Sequence, residues 1–182
     1  MKIGIMSDTH GSLTAFQKVL DAFGPCDFIL HAGDVLYHGP RNPLPDGYNP
    51  RELAEAINRL EVPFIAAAGN CDAPIDQVLI CVPIQSPYAL FCTNKFRVLV
   101  NHGHEKSEEE LLGLSAKWGI NILVTGHTHV KRLEKKNGII MVNPGSCALP
   151  KDGIPSAAVM DEREIKLINI ENKNVIETSL LV

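Results

Sequence analysis

Five apolar runs in this chain, KIGIMSDTH, FILHAGD, FIAAAGNCD, RVLVNHGH and ILVTGHTH, each end in side chains able to ligate a metal. A run of apolar, largely β-branched residues broken by glycine or a polar residue reads as a buried strand followed by a sharp turn. Parallel strands would carry all five turns to the carboxyl edge of one sheet, where α/β proteins place their sites. The donors gathered there would be Asp8, His10, Asp34, Asn70, His102, His127 and His129. Seven oxygen and nitrogen donors are too many for one tetrahedral ion and suit two. The pattern predicts a dinuclear metal site of the kind hydrolases use.

With 182 residues and 45% hydrophobic content, the chain is expected to fold as a single domain, 1–182, with a sizeable core. A net charge of −4 leaves no basic footprint, so no long nucleic acid is expected as a partner. The five cysteines are odd in number and lack CxxC spacing, and no signal peptide precedes the first strand. They read as reduced thiols of a cytoplasmic protein. No apolar stretch approaches the roughly 20 residues of a membrane helix, so no membrane partner is expected.

Strands are predicted over Lys2–Ser7, Phe28–Ala32 and Phe64–Ala68, alternating with helices from Ser12 to Phe23 and from Asn49-Pro50 onward. In the first helix Leu13, Phe16, Val19, Leu20 and Phe23 share one stripe, and Gly24-Pro25 ends it. In the second, Asn49 caps, Pro50 opens the first turn, and Leu53, Ala56, Ile57 and Leu60 form the buried face. This order implies a parallel sheet with right-handed crossovers. Short strands are expected near Val78–Val82 and Tyr88–Phe91, then a firmer one at Phe96–Asn101. The box Ser107-Glu108-Glu109-Glu110 starts a helix that reaches Trp118. Strands follow at Ile122–Thr125, Ile139–Asn143, Ala157–Met160, Ile165–Ile170 and Val175–Leu181, with hairpin turns at Lys136-Asn137-Gly138 and Asn172-Lys173-Asn174. The fold class predicted is α/β, a two-sheet β-sandwich flanked by helices. About fifteen residues from Val35 to Asn49 carry no periodic pattern, and loops that long in a compact domain are often lids.

Asp8 and His10, like His127 and His129, stand two residues apart, so in extended chain both reach the same side. The ordered set DTH, GD, GNCD, HGH and GHTH resembles the calcineurin-like metallophosphoesterases, and more closely the small bacterial YfcE-type phosphodiesterases. The resemblance extends through Asn143-Pro144-Gly145-Ser146 and includes the lid segment HGPRNPLPDGY. It implies a sandwich fold and a first ion held by Asp8, His10, Asp34 and His129. A second would be held by Asp34, Asn70, His102 and His127, with Asp34 bridging. Ligands of oxygen and nitrogen without thiolate suit Mn²⁺, Fe²⁺ or Zn²⁺, and the resemblance favours Mn²⁺. The reaction implied is hydrolysis of small phosphodiesters by water activated between two ions.

Many relatives carry a histidine after the asparagine as proton donor to the leaving group, where this chain has Cys71. A thiol matches an alkoxide leaving group poorly at neutral pH, so activated aryl esters are expected to be better substrates than alkyl esters. His104 and His38 are alternative donors. Arg41 suits a phosphate oxygen, or else pairs with Asp46 on the surface. Asp72 would orient a ligand histidine or cap the following turn. A phosphomonoesterase or nucleotidase on the same metals, and a metal-bound scaffold with weak catalysis, are the alternative functions. A homo-oligomer is compatible with the sequence.

Overall fold

The structure, a computed structural model, describes residues 1–181. The first half runs β1 (Ile3–Met6), α1 (Leu13–Phe23), β2 (Phe28–His31), α2 (Pro50–Asn58), β3 (Phe64–Ala67), α3 (Asp76–Leu79), β4 (Ile84–Gln85) and β5 (Ala89–Cys92). The second half runs β6 (Arg97–Val100), α4 (Glu108–Trp118), β7 (Ile122–Val124), β8 (Arg132–Lys136), β9 (Ile139–Asn143), β10 (Ser156–Met160), β11 (Glu164–Asn169) and β12 (Val175–Leu180). Seven strands form one sheet in the order β12-β11-β10-β1-β2-β3-β4, and five form another in the order β5-β6-β7-β9-β8. The segment β1-β2-β3-β4 is parallel, and β10 joins β1 antiparallel. In the smaller sheet β6, β7 and β9 are parallel, and β5 and β8 close the edges antiparallel.

Strand periodicity explains the layers. Ile3, Ile5 and Leu30 point between the sheets to meet Val98, Val100, Ile122, Val124 and Val142 in one apolar core. Ile29 and Phe64 point the other way and bury Phe16, Val19 and Phe23 of α1 with Leu53 and Ile57 of α2. Leu99, Leu123 and Met141 cover Leu111 and Leu112 of α4 on the opposite outer face. The result is the predicted sandwich with helices outside. The expected caps form, with Asn49 Oδ1 accepting from Glu52 N at 3.3 Å and Ser107 with Glu110 making the box; Ser12, read as the first helical residue, is instead the cap of α1, its Oγ accepting from Ala15 N at 3.0 Å. Asn137 and Gly138 both take positive φ (53° and 81°), as a tight hairpin between β8 and β9 requires.

Three local expectations need correction. The five turns that carry the candidate donors do not share one sheet edge: β1, β2 and β3 belong to the larger sheet, β6 and β7 to the smaller. A hydrophobic run marks a strand but carries no record of which sheet it joins. No strand forms over Val78–Val82. Asp76 Oδ2 accepts from Ala73 N at 2.9 Å and starts a short helical turn instead, leaving Val78 77% exposed. Strand β8, with the sequence RLEKK, escaped the apolar pattern because it is a charged edge strand. Among the described residues no helix is long and apolar enough to cross a membrane.

Candidate metal centre

The carboxyl ends of β1, β2, β3, β6 and β7 converge on one rim shared by the two sheets. Bonds across the sheets fix it: His102 Nδ1 donates to Ala32 O at 2.7 Å, and His127 N donates to Asp8 Oδ2 at 3.2 Å. Asp8, His10, Asp34, His127 and His129 all hold left-handed backbone, with φ of 55°, 47°, 60°, 67° and 58°. Such a conformation costs an L-residue about 1–2 kcal/mol and persists only where its surroundings impose it. Here the ladder Asp8 N to Gly33 O, His10 N to Asp34 O and Gly11 N to Val35 O, at 2.8–3.0 Å, clamps the first two turns together.

Each carboxylate has one oxygen satisfied by the protein and one aimed into the cluster. Asp8 Oδ2 accepts from Ser7 Oγ (2.5 Å) and His127 N, while buried Oδ1 has no hydrogen-bond partner among the described residues. Asp34 Oδ1 accepts from Cys71 N at 2.7 Å, and its Oδ2 lies 3.3 Å from His102 Nε2 and 3.7 Å from His10 Nε2. Asp8 Oδ1 lies 3.3 Å from His129 Nε2 and 3.6 Å from His10 Nε2. His10, His129 and His102 give their Nδ1 protons to the carbonyls of Tyr37, Leu149 and Ala32, at 2.9, 2.7 and 2.7 Å. A carbonyl only accepts, so Nε2 is the ring atom each imidazole turns toward the cluster, a bare lone pair once its proton is lost. His10 Nε2 and His129 Nε2 are 3.1 Å apart, and His102 Nε2 is 3.1 Å from Asn70 Oδ1.

Burial alone would raise the carboxyl of Asp8 and lower the imidazoles. The facing imidazoles of His10 and His129, with His102 nearby, instead hold Asp8 well below the usual carboxylate range. Burial is likewise overcome at His102, which Asp34 and Asp8 raise to about 9. The cluster gathers two carboxylates and the Nε2 atoms of three imidazoles in a buried space. A lone buried acceptor beside facing imidazoles is the geometry a cation satisfies. Groups of donor atoms within 4.8 Å of one another include Asp8/His10/His129 and Asp8/Asp34/His102. Asn70 and His127 are more exposed, with the His127 ring 5.1 Å from that of His102.

Other predicted residues fall around this centre in different ways. Cys71 is half-buried beside Asp34, and burial with that carboxylate pushes its thiol up to about 12. His104 is exposed, 5.3 Å ring to ring from His102, with Glu105 3.6 Å away. His38 packs between Tyr37 and Tyr48 within the lid and does not line the cleft over the cluster. Arg41 does line it, and no Arg41–Asp46 ion pair forms among the described residues. Asp72 orients no histidine. It accepts from Asp34 N (2.8 Å), Gly69 N (2.7 Å) and Val35 N (2.7 Å), tying three backbone groups of two ligand turns. The 35–49 loop is pinned at both ends, with Val35 and Leu36 buried and Leu13 N donating to Gly47 O at 3.0 Å.

Sequence reasoning missed His31 beneath the cluster and left the role of the Asn143–Ser146 segment open. His31 is wholly buried, accepts from Gly33 N at 3.0 Å and reaches Thr9 Oγ1 at 3.1 Å; burial lowers it to about 4. A histidine ending an apolar strand just before Gly-Asp was the available signal. Asn143 donates to Gly126 O and Thr128 Oγ1, and Ser146 to Asp8 O, so the NPGS segment braces two ligand turns.

A sandwich whose rim holds two inward carboxylates and several oriented imidazoles defines a metallohydrolase scaffold. The chain belongs to the calcineurin-like phosphoesterase superfamily, whose domain matches residues 1–164. It is 38% identical over 179 residues to the phosphodiesterase YfcE of Escherichia coli strain K12, covering 97% of this chain and 96% of that one. A solved structure of YfcE, a phosphoesterase from E. coli, superposes with a TM-score of 0.89 at 34% identity and full coverage of both chains. The wild-type Vps29 of Entamoeba histolytica complexed with zinc shares the fold at a TM-score of 0.66 and 18% identity, again with full coverage of both.

Proposed function

We propose that this protein is a metal-dependent phosphodiesterase acting on small phosphodiesters. One cation would be held by Asp8, His10, Asp34 and His129, and a second by Asp34, Asn70, His102 and His127. The observation that carries this reading is the pairing of partnerless Asp8 Oδ1 with the facing Nε2 atoms of His10 and His129. When bound, such ions supply an activated water and neutralise charge growing on the phosphoryl oxygens. Oxygen and nitrogen ligands admit Mn²⁺, Fe²⁺ or Zn²⁺, and we take Mn²⁺ as the activating ion. The activity named for YfcE supports the choice of diester over monoester.

The chain's own residues supply the rest. His104, exposed and next to His102, is the proton donor to the leaving group; the Cys71 thiol near 12 is too weak an acid for that task. Arg41 presents a guanidinium to anions entering the cleft. All five cysteines are free thiols, which supports a reducing, cytoplasmic setting. The test is a screen of phosphodiesters and monoesters against the purified protein with Mn²⁺, Fe²⁺ and Zn²⁺. Diester hydrolysis with one of these ions is expected, reduced at least about a hundredfold in Asn70→Ala. Full activity in that variant would refute the ligand assignment.

A further inference from the structure

Arg41 and Lys151 are the two fixed cations lining the cleft over the ligand cluster, a space of about 720 Å³. Neither side chain ion-pairs or hydrogen-bonds with a described residue, although the chain carries a net charge of −4. Nearby cations differ: Lys131 is tied to Asp152 at 2.7 Å and Arg132 to Glu108 at 2.5 Å. Both free cations stand on segments that also orient a ligand. The carbonyl of Tyr37, four residues before Arg41, receives His10 Nδ1 at 2.9 Å. The carbonyl of Leu149, two residues before Lys151, receives His129 Nδ1, and Lys151 N donates back to His129 O at 3.0 Å. Lys151 is thereby fixed beside His129, and Arg41 lines the same cleft from the loop whose Gly39 packs against Cys71.

The opposite end differs in character. A second cleft of about 540 Å³ shares Asp72 and Ala73 with the first and is lined by Pro74, Ile84 and Pro87, with His104 and Glu105 at its mouth. Apolar walls and a carboxylate repel an anion and accept an uncharged group. A simple phosphodiester carries one negative charge, and cleavage requires that charge to lie at the ligand cluster itself. Arg41 and Lys151 are therefore in excess of what a simple diester needs.

The geometry points to a phosphodiester with two unlike arms. One arm bears a second anionic group, a carboxylate or a phosphate, held by Arg41 and Lys151. The other is uncharged and apolar, lies toward Pro74, Ile84 and Pro87, and leaves from the His104 side. This assignment rests on the phosphodiesterase reading and adds the substrate class and its orientation.

The test uses three 4-nitrophenyl phosphodiesters whose second arm is ethyl, 2-carboxyethyl or 2-phosphonoethyl, assayed with excess Mn²⁺. The anionic arms are expected to raise kcat/KM about tenfold over ethyl, mainly through KM, with a preference that shrinks as salt is added. The larger of the two gains identifies the anionic group. In Lys151→Met and Arg41→Met the ratio of anionic to ethyl substrate is expected to fall toward one, and Lys151→Arg to restore it. Both residues are exposed, so folding of the variants is not at stake. A ratio near one in the unaltered protein, or a ratio untouched by both methionine variants, would overturn the assignment. Failure to cleave any of the three with Mn²⁺, Fe²⁺ or Zn²⁺ would strike the phosphodiesterase reading itself, and the assignment with it.

Discussion

His10 and His129 face each other with their Nε2 atoms 3.1 Å apart, while each spends its Nδ1 proton on a backbone carbonyl. Two neutral rings so arranged oppose lone pair to lone pair beside partnerless Asp8 Oδ1, a repulsion that a cation converts into coordination. Adding Mn²⁺ to metal-stripped protein at a hundred times its dissociation constant should therefore stabilise the fold by about 2.7 kcal/mol per site. For a chain of this size that is about 5–10 °C in Tm per site. Differential scanning calorimetry with and without chelator checks it; an unchanged Tm would contradict the site.

Proton linkage at His102 gives a pH dependence. Burial opposes its charge, but Asp34 and Asp8 raise the metal-free group to about 9, above about 6.5 for an unfolded histidine. Its contribution to stability of the metal-free chain is thus complete below about pH 6.5 and is lost as pH rises through about 9. Metal must displace that proton, so affinity should climb by up to about tenfold per pH unit across the same window and level off above it. Titration calorimetry in buffers of different ionisation enthalpy reads the proton released. Affinity independent of pH would show that His102 is not a ligand.

Gly33 and Gly69 bring two ligand turns into backbone contact. A Cβ on Gly69 would strike Asp34 Oδ1 and come within 2.5 Å of Asp34 N; one on Gly33 would lie 2.7 Å from Gly69 N. Backbone cannot yield as a flexible side chain does. Gly69→Ala should cost about 1–3 kcal/mol in urea unfolding and weaken metal binding by displacing Asp34 and Asn70. Stability and affinity equal to the unaltered chain would show that these turns have slack.

Asp72 accepts three backbone N–H bonds from Asp34, Val35 and Gly69. Asn in its place keeps one acceptor oxygen and adds a donor where donors already point. Asp72→Asn should destabilise the chain by about 1–3 kcal/mol and cut metal affinity about 10–100-fold, although Asp72 touches no ion site directly. Metal affinity measured by competition with a chromophoric chelator decides this. A loss of stability without a loss of affinity would reduce Asp72 to a loop tie.

The sequence pattern picked out the donors that the fold gathers at one rim because their chemistry is local. A strand-ending Asp or His is visible in DTH or GHTH before any fold is known. Burial of Leu53 and Ile57 on α2, and the caps at Asn49 and Ser107, were equally readable because they depend on neighbours within one helix. Sheet membership was not readable, since β6 and β7 carry the same apolar signature as β1 and β2. Nor were two of the three partners of Asp72, which lie 37 and 38 residues away in the chain, or the unpaired state of Lys151, which shows only once Asp152 is seen to choose Lys131.

Leaving-group chemistry separates the proton donors. With the Cys71 thiol raised to about 12 and His38 enclosed by Tyr37 and Tyr48, only His104 stands free beside the ligand rings. With His104 donating, rates should depend only weakly on leaving-group pKa, and the advantage of aryl over alkyl diesters should open up when His104 is removed. His104→Gln should slow alkyl esters about a hundredfold and aryl esters far less. A uniform loss across leaving groups would assign His104 a positioning role instead.

The most direct measurement is a crystal structure of the protein loaded with Mn²⁺, with anomalous scattering used to place the ions. Two peaks are predicted: one among Asp8, His10, Asp34 and His129, the other among Asp34, Asn70, His102 and His127, with Asp34 touching both. A single peak, or peaks away from the facing His10 and His129 nitrogens, would contradict the account.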